Sequence, residues 1–295
     1  MQHVTGTAMA TLALELTPPA LFGFAGRKTT EVIQSWSKSV RIFLPAIAVL
    51  PYLLISISEQ MFRWKWLFLY AGLPVIIGGL LEQAVEDDPE QRGNWRDALI
   101  LLVLGLAVDL RWFESAWPGG WAALGKVLLL DVALYGFAGI RRLSGTGFTL
   151  CLRRSDWKIG LRELLFFAPI VIGLGIALGF LSPHANRLSL SMVLIWMLAW
   201  IRVFLFIALP EELFFRAWVQ NLLERRLGRR TALVVASVIF GLSHFNKRST
   251  HFNWRYVLLA SIAGIFYGRA WREQRRVPAS TITHATVDTI WGIWF

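Results

Sequence analysis

Leu209-Pro210-Glu211-Glu212-Leu213-Phe214-Phe215-Arg216 sets two adjacent carboxylates and an arginine between long apolar runs, in a chain that otherwise keeps its charges in loops. In a helix, Glu212 and Arg216 lie four apart on one face, with the acid on the N-terminal side, the better order for an ion pair. Glu211 points about 100° away from Glu212, toward a different neighbour. Charge at membrane depth is costly, so ionisable groups kept there point to function. A plainer reading is a helix start, with Pro210 at the first helical position and the two acids complementing the dipole.

The runs on either side decide the class. Hydrophobic residues make up 56% of 295, with 15 Trp and 20 Phe, and the mean hydropathy is +0.53. Several runs reach the ~17–25 residues with which a helix crosses a bilayer. The expected fold is therefore all-α, a polytopic transmembrane helical bundle of about eight or nine spans. Spans are expected near 42–57, 66–81, 98–110, 127–140, 164–181, 188–209, 231–244, 256–270 and 279–295, with 98–110 short. Residues 9–26 contain Pro18-Pro19 and Glu15 and read as an interfacial or re-entrant piece. No lysine or arginine precedes Arg27, which argues against a cleaved signal peptide. Two parts are expected: N-terminal helices with the interfacial N-terminus over 1–163, and a core holding the ionisable clusters over 164–295. The break lies in the basic loop 141–162.

Loop charge orients the chain. Twenty lysines and arginines fall in segments facing one way, before the first span and in 82–97, 141–163, 221–230 and 269–276. Eight face the other way, among them Arg187, Lys247 and Arg248. This bias puts the N-terminus in the cytoplasm. The net charge of +11 could serve nucleic acid, but the arginines sit in pairs beside spans, as at Arg141-Arg142, Arg225-Arg226, Arg229-Arg230 and Arg275-Arg276. There they meet anionic lipid headgroups, and no nucleic-acid motif accompanies them. Cys151 is alone and forms no internal disulfide.

Two further pieces join the glutamate pair. Phe240-x-x-x-His244 closes the span 231–244, and His284-x-x-x-Asp288 lies inside the last apolar segment. Each pair shares a helical face, so Phe240 packs on the His244 ring while His284 and Asp288 point into one cavity. Asp109 and Asp131, near span ends and without a partner pattern, read as isolated and structural. Ala260-x-x-x-Gly264-x-x-x-Gly268 supplies a small-residue face for close helix packing.

Together the three pieces resemble the CPBP family of intramembrane proteases, which includes the CAAX prenyl endopeptidases and many bacterial Abi proteins. The family pattern is two glutamates with an arginine four after the second, then Phe-x-x-x-His, then His-x-x-x-Asn or Asp, on separate transmembrane helices. The similarity covers residues 188–295. The resemblance implies that Glu211 is the general base that activates a water and that His244 holds this water. It implies that Glu212 and Arg216 form the structural pair, and that His284 and Asp288 stabilise the oxyanion. The substrate would be a membrane-anchored protein or peptide, and the location a bacterial inner membrane. Asp288 leaves two roles open: a neutral carboxyl donating to the oxyanion, or a carboxylate that accepts from His284 and orients it.

Two histidines and two carboxylates could instead ligate zinc through Glu211, His244 and His284, but the spacing is not His-Glu-x-x-His. The expected chemistry is metal-free. Two other classes remain: a non-catalytic immunity or scaffold protein binding a peptide partner, and a transporter, for which no inverted repeat is found.

Overall fold

The computed structural model describes residues 6–119, 121–184, 190–247, 249 and 251–295, with the side chains of 190 and 191 left out. Arg187 and Arg248, and the first residues of the expected span 188–209, lie outside the described residues. Ten long helices and no strand appear among those described. They fall into two compact units, Met1–Ser144 and Gly145–Phe295. Residues 146–151 pack with the helices of the second unit.

The first unit holds α1 (Gly6–Ser35), α2 (Lys38–Ser58), α3 (Trp64–Asp87), α4 (Trp95–Asp109) and α5 (Ala122–Ile140). The segment expected to be interfacial or re-entrant is the first part of α1, which holds both prolines and kinks at Ala25 (φ −135°, ψ 31°); by length and composition α1 is apolar enough to cross a membrane. The helix α2 passes through a tight 3-10 stretch, Leu44–Val49, where Pro45 and then Pro51 remove backbone donors. A capping box of Asn94 and Asp97 starts α4. At 15 residues, about 22 Å, α4 falls short of the hydrocarbon thickness.

This unit was expected to lack clustered ionisable groups, and it holds two. Arg141 is buried and bonds Asp97 through Nε at 3.1 Å, with its other nitrogens on Asp88. Asp131 is neither isolated nor near a helix end. It is buried midway along α5, within electrostatic reach of the buried Glu15 on α1.

The second unit holds α6 (Arg154–Ala177), α7 (Met192–Leu227), α8 (Arg229–Leu242), α9 (Trp254–Gln274) and α10 (Val277–Trp294). Among the described residues six helices, α1, α2, α3, α5, α6 and α7, are long and apolar enough to cross a membrane. The expected spans 231–244, 256–270 and 279–295 are helical as α8, α9 and α10. They fall outside that set because α8 has only 14 residues, α9 carries Arg255, Arg269 and Arg272, and α10 is diluted by Ser, Thr, His284 and Asp288.

Close helix approach builds the core around the site. A Cβ on Gly241 of α8 would lie 1.9 Å from Ser261 Oγ and 2.5 Å from the Val257 carbonyl of α9. The same is true of Gly264, where it would lie 2.9 Å from Ser237 Cα, so the small-residue face of α9 does pack on α8. Phe167, Phe215, Phe240 and Tyr267, from α6, α7, α8 and α9, meet in the resulting cluster.

At the other end, Trp271 Nε1 donates to the Thr146 carbonyl at 2.9 Å and Val277 N–H to the Gly147 carbonyl at 3.0 Å. Gly147 has φ +70°, and its missing Cβ leaves room for the Arg275 carbonyl. Arg276 binds the buried Asp156 carboxylate at 2.7 and 2.8 Å, which raises its guanidinium above the ordinary value.

Candidate active site

Pro210 does not start a helix. It sits inside α7, which runs uninterrupted through it. Proline supplies no N–H and crowds the carbonyl four back, and α7 responds by widening. Residues Phe204–Ala208 form a π-helical stretch, with Leu209 N–H bonding the Phe204 carbonyl five residues back. One α turn, Leu209–Glu212, follows, and then a second π stretch, Leu213–Gln220, whose end bonds Asn221 N–H to the Arg216 carbonyl. Such wide turns recur at functional sites, and here they flank the glutamate pair.

The pair brackets one imidazole of α10. His284 Nδ1 lies 2.8 Å from Glu212 Oε1. His284 Nε2 lies 3.8 Å from Glu211 Oε2 and 3.5 Å from Asp288 Oδ2. The first distance is a hydrogen bond. The other two exceed one, so Glu211 and Asp288 are electrostatic neighbours of Nε2. A carboxylate only accepts, so Nδ1 carries the hydrogen it gives to Glu212. The ring also stacks on Tyr267 of α9, with centroids 4.6 Å apart and planes within 16°.

Glu212 accepts from Arg216 Nε at 3.0 Å through its other oxygen, and both side chains are fully buried. The Arg216 guanidinium lies over Phe240 at 4.9 Å and Tyr267 at 5.8 Å. Its two terminal nitrogens find no acceptor among the described residues, so these ring faces are their cover.

His244 follows α8 in a tight turn, its ring 4.9 Å from Phe240 and 4.8 Å from Tyr256. Its Nδ1 is 2.9 Å from the Phe240 carbonyl, which can only accept. The hydrogen is therefore on Nδ1, and Nε2 is left with a lone pair. Ser243 Oγ, 2.8 Å from the same carbonyl, braces the turn. A cavity of about 120 Å³ opens beside these groups, walled by His244, His284 and Asp288 and otherwise by apolar side chains such as Phe167, Phe180 and Trp291.

The site residues expected from the sequence thus come together, and two unexpected residues join them. Tyr267 was hidden in the small-residue helix α9. Lys247 lies in the loop after α8, with Nζ 3.7 Å from Glu211 Oε1. Its only signal in the sequence is that it follows His244 by three residues. As to metal, no three His, Cys, Asp or Glu side chains among the described residues are grouped so as to hold an ion. Nδ1 of each histidine is engaged, by the Phe240 carbonyl on His244 and by Glu212 on His284.

Residues 192–290 match the family described as type II CAAX prenyl endopeptidase Rce1-like. The match covers α7 to α10 and every site residue above, and it supports membership of this region in the CPBP family of CAAX-type proteases. Comparison with curated proteins and with solved structures returned no match.

Proposed function

We propose that this integral membrane protein is an intramembrane endopeptidase that hydrolyses a peptide bond of a membrane-associated protein with water activated by Glu211. The Rce1-like domain points to a protease. The observation that carries the finer reading is the division of labour around His284, where Glu212 takes Nδ1 while Nε2 is left between Glu211 and Asp288, and Asp288 lines the cavity.

The steps follow from these groups. Water sits between Glu211 and His244, whose Nε2 accepts one of its hydrogens. Glu211 takes the other as the oxygen attacks the carbonyl carbon. The carbonyl oxygen becomes negative and is met by Nε2–H of His284, which in this role carries hydrogens on both nitrogens, and by Asp288 as a neutral carboxyl. Glu211 then returns its proton to the amine nitrogen as the C–N bond breaks. No step uses a metal. The basic loops face the cytoplasm of a bacterial inner membrane and its anionic headgroups.

The test is a panel of fluorogenic lipid-anchored peptides, farnesylated and not, given to purified protein in liposomes alongside Glu211→Gln. Cleavage by the wild type and none by the variant supports the reading. No cleavage by either, across peptides with each class of anchor, counts against it. Turnover is also expected to survive prolonged chelation, with well under one zinc per chain by elemental analysis. A stoichiometric metal whose removal and return switch activity would overturn the metal-free mechanism.

Asp288 gives a separate expectation. Glu212 already orients His284, so Asp288 is not needed for that task and serves as the donor. Asp288→Asn keeps an N–H donor and is expected to stay within about tenfold of wild type, whereas Asp288→Ala loses about 10²-fold or more. Folded Asp288→Asn protein as inactive as Asp288→Ala would assign the orienting role instead.

A further inference from the structure

The mouth of the site carries a cation that the Rce1-like motif residues do not include. Lys247 Nζ stands 3.7 Å from Glu211 Oε1, while His284 Nε2 stands 3.8 Å from Oε2, so the carboxylate lies between two nitrogens, one at each oxygen. Lys247 is about one-third exposed and Glu211 one-quarter, so the pair bounds the wet side of the cluster. The loop is tied where this lysine needs it. Lys247 N–H bonds the His244 carbonyl at 3.2 Å, and Asn253 Nδ2 donates to the Lys247 carbonyl at 3.1 Å. Asn253 N–H also bonds the Phe245 carbonyl at 2.8 Å, and the Asn253 side-chain oxygen caps α9 at Tyr256 N–H. One asparagine therefore fixes the lysine-bearing turn to the start of the helix that carries Tyr267.

We propose that Lys247 is a positioning residue for the reaction: its ammonium holds the Glu211 carboxylate in the orientation that aims it at the water carried by His244. At 3.7 Å the contact is an ion pair rather than a direct hydrogen bond. It steers Glu211 without occupying the lone pair that must take the proton. The proposal rests on the reading of Glu211 as the base. As a positioning residue Lys247 acts on the reaction through Glu211.

Two measurements test it, one of which needs no activity. Treating wild-type protein with a water-soluble carbodiimide activates the Glu211 carboxylate. Attack by the Lys247 amine then releases the urea and leaves an amide that joins the two residues with loss of one water. Mass spectrometry should find this crosslink, and it should vanish in Glu211→Gln. The ion pair Lys38–Glu86 is the internal control, and its crosslinking without any between Lys247 and Glu211 would refute the contact.

Kinetics on the fastest-cleaved peptide of the panel supply the second measurement. Lys247→Met is expected to lower kcat about tenfold with KM within twofold, and Lys247→Arg to restore at least half of the loss. Unchanged kcat in Lys247→Met, a loss confined to KM, or no rescue by arginine would each overturn the proposal. Glu211→Gln separates the two levels: if it retains turnover, the base assignment itself has failed. If it is inactive while Lys247→Met is fully active, only the role of Lys247 has failed.

Discussion

Glu211→Gln is expected to cut turnover by about 10²–10⁴-fold, the range that a positioned general base contributes, while the protein still inserts and folds. Glutamine keeps the shape of the side chain and its contacts with the neighbouring helices. It cannot take the proton that attacking water must shed. Glu211 is one-quarter exposed and lies outside the Arg216 pair, so its loss leaves no buried charge without a counterion. The expected record is a wild-type gel-filtration profile and thermal midpoint beside an inactive enzyme. Near-normal turnover by Glu211→Gln would show that another group activates the water.

Arg216→Ala should behave in the opposite way, with damage to folding as large as damage to rate. Removing one member of a buried pair costs about 3–5 kcal/mol, because the remaining charge loses its partner without regaining water. The cavity left under Phe240 and Tyr267 adds to that cost, since both rings now cover the guanidinium. Glu212 would lose the guanidinium and keep His284 and Ser280 as neighbours, and the imidazole would lose its fixed anchor. Low yield, a thermal midpoint many degrees below wild type, and little activity in what survives are expected. Glu212→Gln should also lower both yield and activity, because Arg216 would stay buried without its counterion and the amide has only one oxygen for the two donors. Monodisperse Arg216→Ala protein with a wild-type midpoint would refute the structural role.

The all-helical membrane class was legible because apolar length is a local property, read directly along the chain. The pair Glu212–Arg216 was legible for the same reason, being four residues apart on one helix. Pro210 misled as a helix start because a proline inside a wide turn and one at a first turn look alike in sequence. The difference lies in whether the preceding helix continues. Pro18-Pro19 sit inside the first part of α1, against which neighbouring helices pack.

The bridge from Glu212 to His284 joins residues 72 apart, and no spacing rule reports it. The resemblance had assigned roles to both residues without linking them. Asp131 was misread because its neighbour Glu15 lies on another helix. Lys247 was invisible as a site residue, one loop lysine counted among the outer charges.

The two widened stretches of α7 make this helix a shaft with a phase step. Each extra residue in a turn sets the faces beyond it about 100° out of step with an uninterrupted α-helix. Up to the start of the first step, α7 presents Trp200 and Phe204 to α10, with Trp200 Nε1 bonded to Thr286 Oγ1 at 3.0 Å. Within the second it presents Phe215 to Phe240 of α8 and Gln220 to the backbone of α9. A straight helix would face one set of neighbours along its length, whereas the stepped one turns between two and aims both carboxylates at the junction. The angular aim of Glu211 and Glu212 is thus stored in the winding of the main chain. Rewinding 204–208 as ordinary α-helix with every residue kept would leave the hydrophobicity of the span intact and still swing the acids about a quarter of a turn away from His284.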